Sequence, residues 1–186
     1  METKMAVPSG HTPQGGVVVG TDNARRRLIV FEDPQCPYCR KFEERSGDLV
    51  RREIAAGALS VEYRMRSFLG IESVRADNAL ALAAEVGRFD QLRAELFANQ
   101  PGERTGGYTA EDLIELGRRA GLASPDYIAG VREGRYDRWV QHVDEIFQAD
   151  DPNGTPAALL DGKPIGSDRL YDPGALAQLL RTESGH

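Results

Sequence analysis

The chain contains two cysteines, three residues apart in the segment Cys36-Pro37-Tyr38-Cys39. A disulfide between them would close a very small loop and would restrict the unfolded chain little, so stabilisation explains the pair poorly. Thiol–disulfide exchange explains it better, because one thiolate can attack a disulfide in another molecule and the second sulfur can then resolve the mixed disulfide. The pair is therefore a candidate redox centre.

Two other interpretations of the cysteine pair stay open. Cysteines at this spacing also occur as half of a zinc site, but a structural zinc ion takes four ligands. The chain has no second cysteine pair, and its three histidines, His11, His142 and His186, are far apart in the sequence. The remaining interpretation is an inert pair that takes part in no chemistry.

The residues around the cysteines predict that a strand ends and a helix begins there. The apolar run 28–31 precedes a turn with Pro34 and is typical of a central strand buried on both faces. Beyond the turn, Phe42, Leu49 and Ile54 recur at helical spacing, and Gly57 is expected to end the helix. The cysteines thus lie at a predicted helix N-terminus.

A helix N-terminus is a position that activates a thiol. Its first turn presents unpaired backbone N–H groups and the positive end of the helix dipole, so a thiolate there is stabilised and its pKa falls. Cys36 is expected to be the exposed, attacking sulfur, and Cys39, one turn later, the more buried sulfur that resolves the mixed disulfide. Pro37 fixes φ at the first helical position, where its missing N–H removes no helical hydrogen bond.

The rest of the chain predicts the organisation of the fold. Residues 59–66 alternate between apolar and polar and predict a strand with one buried face, which completes a βαβ unit with a parallel strand pair. Asp161-Gly162 lies between two apolar runs and predicts a hairpin, and Asp172-Pro173 begins a last helix. We expect an α/β fold with residues 16–69 and 150–183 as one domain, residues 70–149 as an inserted helical subdomain, and residues 1–15 as a flexible lead-in.

A second segment of interest, Gly154-Thr155-Pro156, comes just before a predicted strand and far from the cysteines in the sequence. X-Pro bonds are mostly trans, so on its own this segment reads as an ordinary turn. Together with the cysteine motif it predicts a cis-proline loop that packs against the cysteines and accepts a peptide by main-chain hydrogen bonds. Thr155 would then lie close to Cys36 and modify its reactivity.

The segment 31–44, FEDPQCPYCRKFEE, resembles the active-site segment of DsbA-like proteins of the thioredoxin fold. The resemblance extends over most of the chain, and Gly134–Trp139 is similar to a segment of actinobacterial members, many of them anchored in the cell envelope. It implies a thioredoxin fold with a mixed sheet, in the order βαβ, helical insertion, ββα. It also implies an enzyme that forms, reduces or isomerises disulfides in other proteins, a redox partner that resets its cysteines, and no metal or organic cofactor.

The chain departs from the DsbA-like pattern at two positions. Tyr38 stands where many relatives have histidine, so we expect a weaker oxidant than the proteins with that histidine. Val30 stands six residues before the first cysteine, where thioredoxin-like proteins often bury a carboxylate that relays a proton to the second cysteine. Glu32 or Asp33 is a candidate substitute for that carboxylate, although the simpler expectation is that both are solvated turn residues.

Composition and charge narrow the remaining function classes. The formal net charge is −6 and no basic stripe is present, which argues against nucleic acid as a partner. No apolar run reaches about 18 residues, so no segment of this chain is expected to span a membrane. The alternative function that stays open is a peptide-binding or chaperone-like module without redox turnover.

The compartment depends on the natural N-terminus. The first 20 residues lack the basic and apolar regions of a signal peptide. If the chain is complete as it stands, a cytoplasmic protein is expected. If a leader or anchor has been removed, the family resemblance favours an extracytoplasmic protein of the cell envelope or a secreted one.

Overall fold

A computed structural model describes residues 5–150 and 154–182 of the chain. Within these ranges five strands form one mixed sheet in the order β1-β3-β2-β4-β5. The strands are β1 (Val17–Val19), β2 (Arg26–Glu32), β3 (Leu59–Met65), β4 (Ala157–Leu160) and β5 (Lys163–Ile165). The central strand β2 runs parallel to β3 and antiparallel to β4, and both edge strands are antiparallel to their neighbours.

Helices connect and cover these strands in the described ranges. They are α1 (Pro37–Ala55), α2 (Ile71–Glu85), α3 (Phe89–Ala98), α4 (Ala110–Arg119), α5 (Pro125–Glu133), α6 (Asp137–Asp150), α7 (Ser167–Leu170) and α8 (Pro173–Arg181). Helix α1 links the parallel strands β2 and β3, α2 to α6 stand between β3 and β4, and α7 and α8 follow β5. The predicted fold class, an α/β fold with a mixed sheet, is confirmed.

Local sequence signals account for the ends of several elements. Asp161 and Gly162 have φ angles of 49° and 80°, the left-handed values that a two-residue hairpin turn needs. Asp172 is the N-cap of α8, where its carboxylate accepts hydrogen bonds from the N–H groups of Gly174 and Ala175. These turns fix where β4 and α8 meet the rest of the sheet.

One apolar core runs through the sheet and the helical block. Val30 and Phe31 of β2 are buried together with Phe42 of α1 and Leu92 of α3. Burial of apolar surface therefore joins the helices α2 to α6 to the strands that precede and follow them. The division of the chain into separate domains stays a prediction.

Two neighbouring residues on α2, Asp77 and Asn78, are both buried but differ in their hydrogen bonds. The amide of Asn78 donates to the Gly130 carbonyl (3.2 Å) and accepts from the Tyr136 N–H (2.8 Å). Both carboxyl oxygens of Asp77 are buried without a hydrogen-bond partner among the described residues. Burial raises the pKa of Asp77 well above its usual range, and the negative charge of Asp33 adds to the rise.

We expect Asp77→Leu to increase the free energy of unfolding by about 1–3 kcal/mol at neutral pH, because it removes an unpaired buried carboxyl and keeps the branched shape. The gain relative to the wild type should grow with pH. Because the pKa of Asp77 is raised in the folded state, the wild-type protein loses stability as the pH rises above the unfolded-state pKa of about 3.9. Denaturant unfolding at several pH values measures both effects. Asn78→Leu, the matched control, should lose about 1–3 kcal/mol, and a loss in Asp77→Leu at every pH would contradict the prediction.

Candidate active site

Cys36 lies at the junction between β2 and α1. It is the N-cap residue of α1, with extended backbone angles (φ −71°, ψ 118°), and Pro37 occupies the first turn. Its carbonyl oxygen accepts the first helical hydrogen bonds, from the N–H groups of Cys39 and Arg40 at 3.1 Å each. The Cys36 sulfur therefore lies beside N–H groups that have no partner within the helix.

The prediction that Cys36 is exposed is wrong. Only 5% of its surface is accessible, because Phe97 and Leu69 pack against the cysteine pair and the loop before β4 lies over it. Its thiol donates a hydrogen bond to the Thr155 carbonyl at 3.4 Å. Cys39 is completely buried, so Cys36 is still the more accessible of the two sulfurs.

The pKa values of the two free thiols are shifted in opposite directions. The pKa of Cys36 is lowered to about 6, first by a hydrogen bond from the Cys39 thiol and then by the Thr155 hydroxyl and the backbone N–H groups of Cys39 and Tyr38, while partial burial opposes the shift. Burial raises the pKa of the Cys39 thiol well above its ordinary value, and the charge of the neighbouring thiolate adds to the rise. At neutral pH, these shifts favour the thiolate form of Cys36 and the thiol form of Cys39.

The loop before β4 brings Thr155 and Pro156 to the cysteines. The Thr155–Pro156 peptide bond is cis, and β4 begins at the next residue, Ala157, which pairs with Phe31 of β2. Because Phe31 belongs to the strand that leads to Cys36, this pairing places the loop beside the sulfur. The Thr155 hydroxyl is buried and has no partner in the described parts of the chain while Cys36 is a thiol. It becomes a donor to the sulfur once the thiol ionises.

The expectation that Glu32 is a solvated turn residue is wrong. Glu32 is the last residue of β2, is fully buried, and accepts two hydrogen bonds from the guanidinium of Arg93, which is also buried. Arg93 donates to Glu43 of α1 as well and lies over the Tyr63 ring, 4.4 Å from its centroid. Burial raises the pKa of Glu32, and Arg93 opposes that rise. Glu32 is therefore held in an ion pair between the sheet and α3.

Asp33 is buried too, which contradicts the same expectation. Its carboxylate accepts hydrogen bonds from the Ser73 hydroxyl (2.6 Å) and from the N–H groups of Gln35 (2.9 Å) and Leu69 (3.2 Å). Burial raises the pKa of Asp33 to about 7, these hydrogen bonds oppose the rise, and the Cys36 charge adds to it. Both carboxylates are buried because α2 and α3 cover the turn that the sequence left open to solvent.

Three polar side chains that sequence reasoning did not single out hold the turn before Cys36. Gln35 donates to the Ser73 hydroxyl at 2.9 Å. Gln100 donates to the Pro34 carbonyl at 2.8 Å, and the Tyr108 hydroxyl lies 3.1 Å from the same oxygen. Gln100 and Tyr108 are more than 60 residues from Pro34 in the sequence, so no local pattern could have identified them.

The exposed surface beside the cysteines carries an aromatic side chain. Tyr38 is 60% exposed at the surface beside the cysteines, so its ring is open to an approaching molecule. Among the described residues, no three His, Cys, Asp or Glu side chains are grouped as a metal site requires. None of the helices in those ranges has the length and apolar composition needed to cross a bilayer.

Known proteins resemble this chain in sequence pattern and in fold. A family model described as Thioredoxin matches residues 12–176. MdbA from Actinomyces oris, a thiol-disulfide oxidoreductase, is similar with a TM-score of 0.82 at 18% identity, over 97% of this chain and 91% of that one. The reduced disulfide bond oxidoreductase DsbG from Mycobacterium tuberculosis gives 0.79 at 24% identity, over 94% and 90%. DsbA from the same organism gives 0.76 at 23% identity, over 92% and 93%.

A search of the curated proteins found no match to the sequence. At the identities above, the solved structures establish the fold, and the fold is that of DsbA-like proteins, as the sequence resemblance predicted. The family model spans most of the chain, including both cysteines and the loop before β4. The chain therefore belongs to the thioredoxin family.

Proposed function

We propose that this chain is a thiol–disulfide oxidoreductase that exchanges disulfides with protein or peptide thiols through Cys36 and Cys39. The observation that carries the proposal is a cysteine at the N-cap of α1 beside a second, fully buried cysteine one turn later, a placement that lowers the pKa of Cys36 and raises that of Cys39. The first is a nucleophile and a leaving group at neutral pH, and the second stays protonated until a mixed disulfide forms. MdbA and DsbG, which share the fold, are named as oxidoreductases of this kind.

In the oxidising direction, a substrate thiolate attacks the Cys36 sulfur of the Cys36–Cys39 disulfide, and Cys39 leaves as a thiolate that takes up a proton. A second substrate thiolate then attacks the substrate sulfur of the mixed disulfide and expels the Cys36 thiolate. Two electrons pass from the substrate dithiol to the cysteine pair, and the substrate gains one disulfide. A redox partner must reoxidise the pair before the next turnover.

The acidity of Cys36 favours the oxidising direction. A stabilised thiolate stabilises the reduced form of the pair, which makes the disulfide form a stronger oxidant. We therefore propose an oxidising role in an extracytoplasmic compartment, where newly formed disulfides persist. The Tyr38 ring supplies no cation to the thiolate, which supports a weaker oxidant than relatives with histidine at that position.

The surface next to the loop before β4 suits a polypeptide substrate. A groove of about 450 Å³ adjoins the loop before β4 and is lined mainly by apolar residues, among them Phe31, Pro156, Leu159 and Ile165. An extended peptide would hydrogen-bond to the main chain of the loop and place an apolar side chain in this groove. Its cysteine would then meet the Cys36 sulfur.

Of the two carboxylates, Asp33 is better suited than Glu32 to exchange a proton during the reaction. Glu32 would have to break two hydrogen bonds to a buried guanidinium before it could accept a proton. Burial raises the pKa of Asp33 to about 7, and its backbone N–H hydrogen-bonds the Cys39 sulfur, which places the main chain of this residue next to that thiol. We propose that Asp33 gives a proton to the Cys39 thiolate that leaves in the oxidising direction, and takes that proton back when Cys39 resolves a mixed disulfide in the reverse direction.

Cys36→Ser should abolish exchange, measured as insulin reduction or as oxidative refolding of a reduced substrate, because the attacking sulfur is lost. Cys39→Ser should stop turnover but leave Cys36 able to attack, so that a mixed disulfide with the substrate accumulates on a non-reducing gel. Full activity in Cys36→Ser would reject the mechanism.

The same variants separate the alternative functions. Suppression of aggregation that survives substitution of both cysteines, without exchange activity in the wild type, would favour a chaperone-like module. About one zinc ion per chain in protein purified without chelator would favour the zinc interpretation.

Thr155→Val keeps the side-chain shape but removes the hydroxyl that stabilises the Cys36 thiolate, so the pKa of Cys36 should rise by about 0.5–1 unit. The alkylation rate of the wild type should increase with pH through about 6 and then level off, and this midpoint should move upward in the variant. The reduction potential, set against glutathione buffers, should fall in parallel. Thr182→Val, at the end of α8, is the control. An unchanged midpoint in Thr155→Val would show that the Thr155 hydroxyl does not lower the pKa of Cys36.

Asp33→Asn should slow resolution of the mixed disulfide by ~100-fold, because the proton acceptor for Cys39 is lost. Glu32→Gln should leave the pH dependence of resolution in place but lower the free energy of unfolding by a few kcal/mol, since the Arg93 charge loses a buried partner. Quenched-flow measurement of resolution against pH, with denaturant unfolding, tests both. The reverse pattern, with resolution impaired only in Glu32→Gln, would assign the proton to Glu32.

A further inference from the structure

Helix α3 and the residue pair that follows it present one face to the active site. Arg93 and Phe97 are four residues apart on α3, which places them on the same side of the helix. Arg93 holds the Glu32 carboxylate, and Phe97 packs against the two cysteines. Gln100, just beyond the helix end, reaches the backbone of the turn.

The amide of Gln100 uses its donors on two carbonyl oxygens of this turn. Its Nε2 lies 2.8 Å from the Pro34 oxygen and 3.0 Å from the Cys36 oxygen. The Cys36 oxygen is also the acceptor for the first helical N–H groups, from Cys39 and Arg40. One side chain of the helical block therefore holds the carbonyl group of the residue whose sulfur is to react.

This contact bears on the sulfur in two ways. It fixes the backbone of Cys36 in the extended conformation that turns the sulfur toward the N–H groups of Tyr38 and Cys39. It also places the positive end of the Gln100 amide dipole against the Cys36 carbonyl oxygen. The negative charge of that oxygen is thereby partly neutralised near the thiolate. Both effects favour the charged form of the sulfur.

We propose that Gln100 is a positioning residue for Cys36, holding the carbonyls of Pro34 and Cys36 so that the sulfur faces the N-terminal N–H groups of α1. The inference rests on the proposed function in that Cys36 is the attacking thiol. By this proposal, a residue that follows α3 contributes to the reactivity of a cysteine at the start of α1. Tyr108 supports the same turn, since its hydroxyl lies between the Pro34 oxygen and the Leu96 oxygen (3.1 and 2.8 Å).

The test compares Gln100→Met, which keeps the length but has no donor, with Gln100→Glu, which keeps the shape but replaces the donors with a charge. The thiolate fraction of Cys36 is followed by ultraviolet absorbance and by the iodoacetamide rate against pH, in reduced protein without substrate. We expect the alkylation rate near pH 6 to fall about 3- to 10-fold in Gln100→Met, and further in Gln100→Glu. The reduction potential should become more negative in the same order.

Asn99→Leu and Asn99→Asp are the matched controls, because they make comparable changes one residue earlier. In the described parts of the chain, the Asn99 side chain forms hydrogen bonds with Glu95 of its own helix and with Arg119. Both should keep the wild-type alkylation profile. A Gln100→Met protein that is folded, of lower melting temperature, and unchanged in alkylation profile would show a merely structural role and overturn the proposal. If Gln100→Glu does not fold, Gln100→Met decides alone.

The outcome is separable from that of the proposed function. The titration of Cys36 is measured without a substrate, so it reports on Gln100 whether or not the protein turns substrates over. Exchange activity retained in Cys36→Ser would reject the proposed function and leave the thiol titration intact as an observation. A wild-type profile in Gln100→Met, with exchange lost in Cys36→Ser, would reject Gln100 alone.

Discussion

A sulfur anion at the start of α1 is stabilised by backbone N–H groups that the helix itself cannot use. This interaction requires three features of the rest of the molecule. Strand β2 must end where α1 begins, so that Cys36 becomes the N-cap. The pairing of β4 with β2 must deliver Thr155 to the same point. Burial then limits competition from water, which strengthens each hydrogen bond to the thiolate. The fold serves to keep these three conditions together.

Covering the end of the sheet with helices gives two adjacent carboxylates different chemistry. Glu32 and Asp33 are both removed from water. Glu32 meets a guanidinium and remains part of a charge pair. The donors to Asp33 within the described ranges are neutral, and its pKa rises to about 7. Burial alone would make both hard to ionise. The nature of the partner decides which one holds a charge and which one can exchange a proton.

Much of the fold could be predicted from sequence because its signals are local. The apolar run of β2, the Asp161-Gly162 turn and the cap at Asp172 each act within a few residues. The cysteine motif was equally local. The burial of Glu32 and of Cys36 was not, since it depends on Arg93 and Phe97, which no spacing connects with them. Gln100 was missed because its acceptors are main-chain oxygens, which every residue has and which no sequence pattern can distinguish.

The distance between Cys36 and Thr155 along the chain, 119 residues, also orders events during synthesis. The ribosome releases the cysteines long before β4. Until β4 joins β2, Cys36 lacks the Thr155 hydroxyl, which is one of the groups that lower its pKa. The full acidity of Cys36 is thus acquired only after residue 155 has been made, so an unfinished chain carries less thiolate that could form unwanted crosslinks with its neighbours.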